Sequence, residues 1–158
     1  MNEADVEWSV TERSPFVNRR KRLSMAAGGQ ALGCGLIELP PGAFGWPAHW
    51  HAGNEEAIYV LEGRGRLRRG DETVDVGPGD YIALPAGPAH AHQMQNCGEA
   101  PLRYLCFSTM NAPDVVVYPD SDKIGVYVGS APGGPERAIT AFYPATAAVP
   151  YYQGEPEG

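Results

Sequence analysis

Cysteine and histidine are both scarce in this sequence of 158 residues. The three cysteines, Cys34, Cys97 and Cys106, are odd in number, lie far apart and form no C-x-x-C pair. A disulfide framework or a zinc ribbon needs paired cysteines, so the sequence favours neither. Reduced thiols are the ordinary state inside a cell, and we therefore expect a cytoplasmic protein.

Long apolar runs and a surplus of basic residues are also missing. The longest clearly apolar run, residues 57–61, is far shorter than the roughly 20 residues of a membrane helix. The first seven residues are acidic and contain no apolar core, which argues against a secretory signal. Twelve Lys and Arg against nineteen Asp and Glu give a net charge of −7, which repels phosphate backbones. We predict no membrane segment and no nucleic-acid partner.

Glycine and proline, in contrast, are abundant. Twenty Gly and fifteen Pro divide the chain into short segments, which argues against long helices. Strands are predicted between these turns, at residues 31–38, 57–61, 64–69, 73–76, 81–84, 90–96, 102–109, 115–118 and 123–128. Short strands at this spacing favour an all-β, antiparallel sandwich or barrel in a single domain.

The two ends of the chain differ in composition from its middle. Residues 1–30 are predicted to form an irregular arm whose basic run, residues 19–22, lies on the solvated surface rather than binding an anion. Residues 31–130 would form the barrel. Residues 131–158 are rich in Pro, Gly and Tyr, and their aromatic side chains are expected to pack on the barrel or on a partner subunit: Phe142, Tyr143, Tyr151 and Tyr152.

All four histidines lie in two H-x-H pairs, His49 with His51 and His90 with His92. Residues i and i+2 of a strand lie on the same face, so each pair presents two imidazoles together. Glu56 follows the first pair after a Gly-Asn turn, and its carboxylate can therefore return beside the imidazoles. Imidazole and carboxylate ligands suit Fe, Mn, Ni, Cu or Zn. The sequence predicts a site for one divalent transition metal per chain.

The first H-x-H pair lies in a motif that resembles the first motif of the cupin superfamily, G(X)5HXH(X)3,4E(X)6G. His49, His51, Glu56 and Gly63 match this pattern, whereas the position of the leading glycine holds Ala43. The segment that ends at Gly63, YVLEG, is also similar to the ending common in that family.

The second H-x-H pair lies in a segment that resembles the second cupin motif, G(X)5PXG(X)2H(X)3N. Residues 79–87 match its first half, and two histidines compete for the ligand position. His90 has the required spacing from Gly87, whereas His92 has the required spacing to Asn96. We prefer His92, because the segment from Ala91 onward resembles the strand of the family, and keep His90 as the alternative.

The resemblance covers about residues 30–110 and implies a jelly-roll β-barrel with a metal in its cavity. It implies His49, His51, Glu56 and His92 as ligands. It further implies a homodimer that takes a small-molecule substrate, similar to single-domain bacterial cupins loosely named sugar-phosphate-isomerase-like. Residues expected to line the pocket or support the ligands are His90, Gln93, Asn96, Trp46 and Arg103.

Two of these pocket residues have a structural alternative. Asn96 precedes Cys97-Gly98 and equally fits a turn residue. Arg103 alternates with Tyr104 along a predicted strand, so only one of the two faces the cavity. An inward Arg103 would favour an anionic substrate, and an outward one would be an ordinary solvent-facing residue.

The predicted function is a metal-dependent enzyme that acts on a small polar metabolite. Every histidine belongs to the candidate site, so no Ser/His/Asp or Cys/His triad can form beside it. A dioxygenase is favoured, because a nitrogen and oxygen site with open positions suits Fe(II). Isomerase, epimerase and lyase reactions also fit. The alternative is a non-catalytic cupin that binds a sugar-like ligand.

Overall fold

The computed structural model describes residues 1–156, which contain thirteen strands and one short helix, α1 (Leu23–Ala26). The strands are β1 (Ser9–Arg13), β2 (Phe16–Lys21), β3 (Leu32–Leu39), β4 (Trp50–His51), β5 (Glu56–Glu62), β6 (Gly65–Arg69), β7 (Glu72–Val76), β8 (Tyr81–Leu84), β9 (His92–Asn96), β10 (Leu102–Thr109), β11 (Asp114–Tyr118), β12 (Lys123–Val128) and β13 (Ile139–Pro144). Within residues 1–156, no helix has the length and apolar character that crossing a membrane requires.

The strands form two layers. One is a six-stranded sheet in the order β1-β2-β3-β10-β5-β8. The other consists of β13-β12-β11-β4 and β7-β6-β9, which an antiparallel bridge between His49 and His92 joins. Each pair of neighbouring strands in the described chain is antiparallel. The predicted all-β, antiparallel fold is confirmed, and the two layers fit a jelly roll.

The hydrophobic core fills the space between the two layers. Alternate residues of β3, β5 and β10 enter it, as the two-residue repeat of a strand requires. The six-stranded sheet and the opposite layer contribute to one cluster, whose members include Ile37, Leu39, Ile58, Val60, Leu102 and Tyr104 from the first and Leu67, Val76 and Met94 from the second. Burial of each such side chain stabilises the fold by about 1.5–3 kcal/mol.

Residues 1–30 contain a β-hairpin rather than the irregular arm that the composition indicated. β1 and β2 pair from Ser9 and Arg20 to Arg13 and Phe16, and β2 continues the large sheet by pairing with β3. The basic run escaped prediction as a strand because its charges mask the alternation. A neighbouring carboxylate compensates the buried charge in this run. The ammonium of Lys21 is buried, and it lies 2.7 Å from a carboxylate oxygen of Glu3.

The tail also adds a strand. β13 pairs with β12 along its whole length, and the ring of Phe142 lies 6.0 Å from those of Tyr118 and Tyr127. Tyr151 and Tyr152 instead remain largely exposed to solvent. Residues 157–158 of the predicted tail lie outside the described residues. A homodimer that covers these side chains stays a prediction.

The turn between β5 and β6 supplies a test of the packing. Gly63 has a φ of 84°, and a β-carbon built there would lie 2.5 Å from the carbonyl oxygen of Pro101. We expect Gly63→Ala to lower the free energy of unfolding by about 3–5 kcal/mol, because backbone strain and overlap add. Chemical denaturation measures the loss.

Gly42→Ala is the matched control for this substitution. Gly42 has a φ of 78°, but no heavy atom lies within 4 Å of a β-carbon built there. Only the strain of about 1–2 kcal/mol is expected. Equal losses in the two variants would contradict the overlap at Gly63.

Candidate metal centre

Three imidazoles gather on the cavity face of the layer that contains β4 and β9. The amides of His49 and His92 each donate a hydrogen bond to the carbonyl of the other, at 3.1 and 2.8 Å. Their rings therefore lie side by side, with centres 4.6 Å apart. His51 follows two residues after His49 and lies on the same face, with its ring centre 5.3 Å from that of His49.

Glu56, the first residue of β5, supplies the carboxylate at the centre of this group. Its Oε2 lies 3.1 Å from Nε2 of His92, 3.4 Å from Nε2 of His51 and 4.0 Å from Nε2 of His49. Ligand atoms of His49, His51 and Glu56 all lie within 4.8 Å of one another. His92 joins this group through its approach to Glu56. We call these four residues the three-histidine group.

Hydrogen bonds fix the orientation of each imidazole. Nδ1 of His49 donates to the carbonyl of Pro47 at 2.8 Å, and Nδ1 of His92 donates to the carbonyl of His90 at 3.0 Å. Nδ1 of His51 lies 2.6 Å from a carboxylate oxygen of Asp114. Carbonyl and carboxylate oxygens only accept, so each Nδ1 carries the hydrogen and each Nε2 is left for another partner.

The chemistry of this donor set fits a divalent transition metal. Three Nε2 lone pairs and one carboxylate converge, and they repel one another unless a proton or a cation lies between them. Nitrogen and oxygen donors of this kind bind Fe, Mn, Ni, Cu or Zn. A ligand cluster that needs positive charge, and whose second nitrogens are already hydrogen-bonded, is suited to hold such an ion.

Neighbouring charges also prepare the ligands. Burial, with the adjacent His92, lowers the pKa of His49 to about 4, so this imidazole is neutral and able to coordinate. Burial favours the neutral form of His51 and Glu56 as well, but hydrogen bonds outweigh it. Asp114 and Glu56 raise the pKa of His51 to about 9, and His51 and His92 hold that of Glu56 well below its usual range. A proton on His51 thus stands where a metal would bind.

Asp114 is a functional candidate that the sequence analysis missed. It is buried at the start of β11, where it accepts the amide hydrogen of Gly53 at 3.0 Å beside its contact with His51. β11 pairs with β4, which places Val116 opposite His51. No local signal could find it, because 63 residues separate Asp114 from His51, and the predicted strand began one residue later, at Val115.

The structure brings His92, and not His90, to Glu56. His90 ends a single 3-10 turn, Pro88–His90, and lines a separate surface depression beside Arg69. Its carbonyl contributes to the site by orienting His92. The spacing from Gly87 to His92 is two residues longer than the cupin motif requires, and this turn contains the extra residues.

Two other predicted residues, Gln93 and Trp46, line the cavity above the ligands. The side-chain amide of Gln93 donates a hydrogen bond to the carbonyl of Trp46 at 2.8 Å. This bond ties the strand that carries His92 to the chain segment that leads to His49.

Asn96 and Arg103 do not lie in the cavity, which corrects both predictions. Asn96 is fully buried, and its Nδ2 donates to the carbonyls of Leu39 and Ala100, so it stabilises the end of β9. Arg103 lies on the outer face, where its guanidinium contacts Glu62 at 3.2 Å. Tyr104 faces inward instead, because consecutive residues of a strand alternate.

The cavity next to the three-histidine group has a volume of about 500 Å³. Tyr104, Tyr118 and Tyr127 are among its lining residues, and the hydroxyls of Tyr118 and Tyr127 lie 3.2 Å apart. Sγ of Cys106 lies 4.0 Å from Oε1 of Glu56, and burial keeps the pKa of this thiol well above its usual value. Cys106 therefore contributes a neutral wall.

Residues 35–108, which include the three-histidine group, match the family model of the cupin domain. These residues form a cupin domain. A protein of Acidithiobacillus ferrooxidans, provisionally named a sugar phosphate isomerase, is similar in structure over 92% of this chain and 90% of its own, with a TM-score of 0.81 and 26% identity. A sugar phosphate isomerase of the cupin superfamily from Silicibacter pomeroyi covers 94% of both chains, with a TM-score of 0.82 and 24% identity.

A curated relative matches over a shorter segment. An uncharacterized protein of Methanocaldococcus jannaschii is 42% identical to this cupin over 60 residues, or 38% of the chain. The match covers 46% of that protein, so this cupin spans less than half the length of the curated relative.

The two histidines of the second pair give a direct test of the ligand set. We expect His92→Ala to lower the metal content of this cupin at least tenfold, because it removes a donor atom. His90→Ala, which leaves the carbonyl that orients His92, should retain the metal. Elemental analysis of both purified variants measures the difference, and equal metal loss would contradict the assignment.

Asp114 provides a second test. Asp114→Asn keeps the shape of the side chain but weakens its hold on Nδ1 of His51. We expect metal affinity to fall by about 10–100-fold, measured by competition with a chelator. Asp120→Asn, which changes an exposed carboxylate paired with Arg68, is the control and should leave affinity unchanged.

Proposed function

We propose that this cupin is a metal-dependent enzyme that isomerises a small, sugar-like hydroxy-carbonyl compound. The observation that carries the proposal is the three-histidine group in the wall of a cavity of about 500 Å³. A space of that size admits a small metabolite. When bound, a divalent ion would polarise a carbonyl or hydroxyl oxygen of such a compound.

The protein's own contribution begins with orientation of the ligands. Asp114 fixes the ring of His51, and backbone carbonyls fix the rings of His49 and His92. The four donor atoms are thereby held before any substrate enters, which lowers the cost of assembling the site.

Tyr118 is the best-placed side chain to donate a hydrogen bond to a substrate bound beside the three-histidine group. Its ring centre lies 6.0 Å from that of His49, and its hydroxyl lies 3.2 Å from that of Tyr127. Burial, followed by the contact with Tyr127, raises the pKa of Tyr118 well above its usual value. Tyr118 therefore stays protonated, and its hydroxyl would donate a hydrogen bond to a substrate oxygen and stabilise the negative charge that develops there during isomerisation.

Similarity to the Acidithiobacillus ferrooxidans protein supports isomerisation over the dioxygenase favoured by the sequence. The likeness extends over about nine-tenths of both chains, so the two proteins share the fold that forms the cavity. A dioxygenase is retained as the second candidate, because three imidazoles and one carboxylate also suit Fe(II).

The proposal is tested by a panel of aldoses and ketoses incubated with the metal-loaded protein and followed by proton NMR. We expect interconversion of one aldose and its ketose, its loss on chelation, and its recovery when the metal is restored. Tyr118→Phe should lower kcat at least about tenfold while the metal content is unchanged.

Two outcomes would overturn the isomerase proposal. Substrate-dependent oxygen uptake, measured with an electrode, would identify the dioxygenase. A tightly held sugar that the loaded protein leaves unchanged would identify the non-catalytic binding module.

A further inference from the structure

The basic run of β2 divides its charges between two faces. Arg19 lies 2.7 Å from a carboxylate oxygen of Glu38, and Lys21 lies 2.7 Å from one of Glu3. These two cations alternate along the strand with Arg20, so they share one face and are neutralised there.

Arg20 lies on the opposite face of β2, and together with Arg22, which follows the strand, it lines the cavity that contains the three-histidine group. Among residues 1–156, no carboxylate lies within ion-pair distance of either guanidinium. Glu56 is the single acidic residue in the described cavity lining, and the metal site employs it. The region around the two arginines is therefore positive in a protein whose net charge is −7.

Neutral walls, rather than an acid, hold Arg20 in place. A β-carbon built at Gly35 of β3 would lie 3.7 Å from Cδ of Arg20, so the arginine stem crosses the strand where a side chain is missing. The guanidinium lies 5.9 Å from the ring centre of Trp46. A β-carbon built at Gly133 would lie 3.9 Å from Nη1 of Arg20. The side chain of Arg20 therefore lies between Gly35, Trp46 and Gly133.

The energetics of this seat favour an anion. Burial, with the positive charge of Arg22, lowers the pKa of Arg20 from its ordinary value, as expected for a guanidinium without a carboxylate beside it. A guanidinium binds the paired oxygens of a phosphate or a carboxylate through two parallel hydrogen bonds. An oxyanion at this position would remove the repulsion between the two arginines.

We propose that Arg20 and Arg22 form a binding subsite for the anionic group, a phosphate or a carboxylate, of a small sugar-like substrate. The hydroxy-carbonyl end of the same molecule faces the three-histidine group, and this half of the inference rests on the proposed function. The subsite makes the enzyme selective for charged over neutral sugars.

Protein-detected NMR titrations of the full chain with inorganic phosphate and with acetate test the subsite. We expect at least one of the two to shift the amide signals of β2 and Gly133. Tighter binding of phosphate identifies a phosphorylated substrate, and tighter binding of acetate identifies a carboxylated one.

Variants assign the binding to the cavity. Arg20→Gln should lower the affinity for the more tightly bound anion at least about tenfold. Arg19→Gln, the same change one residue away on the other face, should alter it less than twofold. Arg22→Gln, outside the strand, should also weaken binding and serves if Arg20→Gln does not fold. Equal weakening by Arg19→Gln and Arg20→Gln, or no binding of either anion, would overturn the subsite.

Metal content separates this inference from the proposed function. Arg20→Gln should retain the metal of the wild type, because Arg20 is not a ligand. If the protein binds no metal but Arg20→Gln still weakens anion binding, the proposed function fails and the subsite stands. If the protein binds metal and isomerises a sugar but Arg20→Gln does not change the anion affinity, the subsite is wrong and the proposed function stands.

Discussion

The convergence of three imidazole nitrogens on the carboxylate of Glu56 is the interaction on which the site depends. Because each Nδ1 is already committed to an oxygen, every Nε2 offers a lone pair to the same small volume. Positive charge must lie there for the cluster to be stable. Folding, proton binding and metal binding are therefore thermodynamically linked at this group.

The fold supports this cluster with little regular structure. β4 has only two residues, and the bridge between His49 and His92 joins the two parts of the layer that contains β4 and β9. The three histidines thus lie at this seam rather than within a long strand, and Glu56 approaches them from the six-stranded sheet. A cation bound by both sides of the seam would stabilise the layer as well as the site.

The sequence predicted most strands because turn residues separate them. It predicted that His49 and His51 lie together because the two-residue repeat places them on one face, whereas His90 lies in the turn before β9 and lines a different depression. Alternation alone could not say which of Arg103 and Tyr104 faces inward, since that depends on the neighbouring strands. Asp114 carries no local signal, because only the pairing of β11 with β4 brings it to His51. Arg20 was missed because the whole basic run was expected on the solvated surface, whereas Lys21 is buried and Arg20 lines the cavity.

The hairpin of β1 and β2 places the proposed anion subsite and the proposed metal ligands on different segments of the chain. The proposed ligands all fall within residues 35–108, the segment that matches the family model. Arg20 and Gly133, in contrast, come from the flanking segments on either side of it. Substitutions in the flanking segments would therefore alter the proposed anion subsite while leaving the proposed metal ligands unchanged.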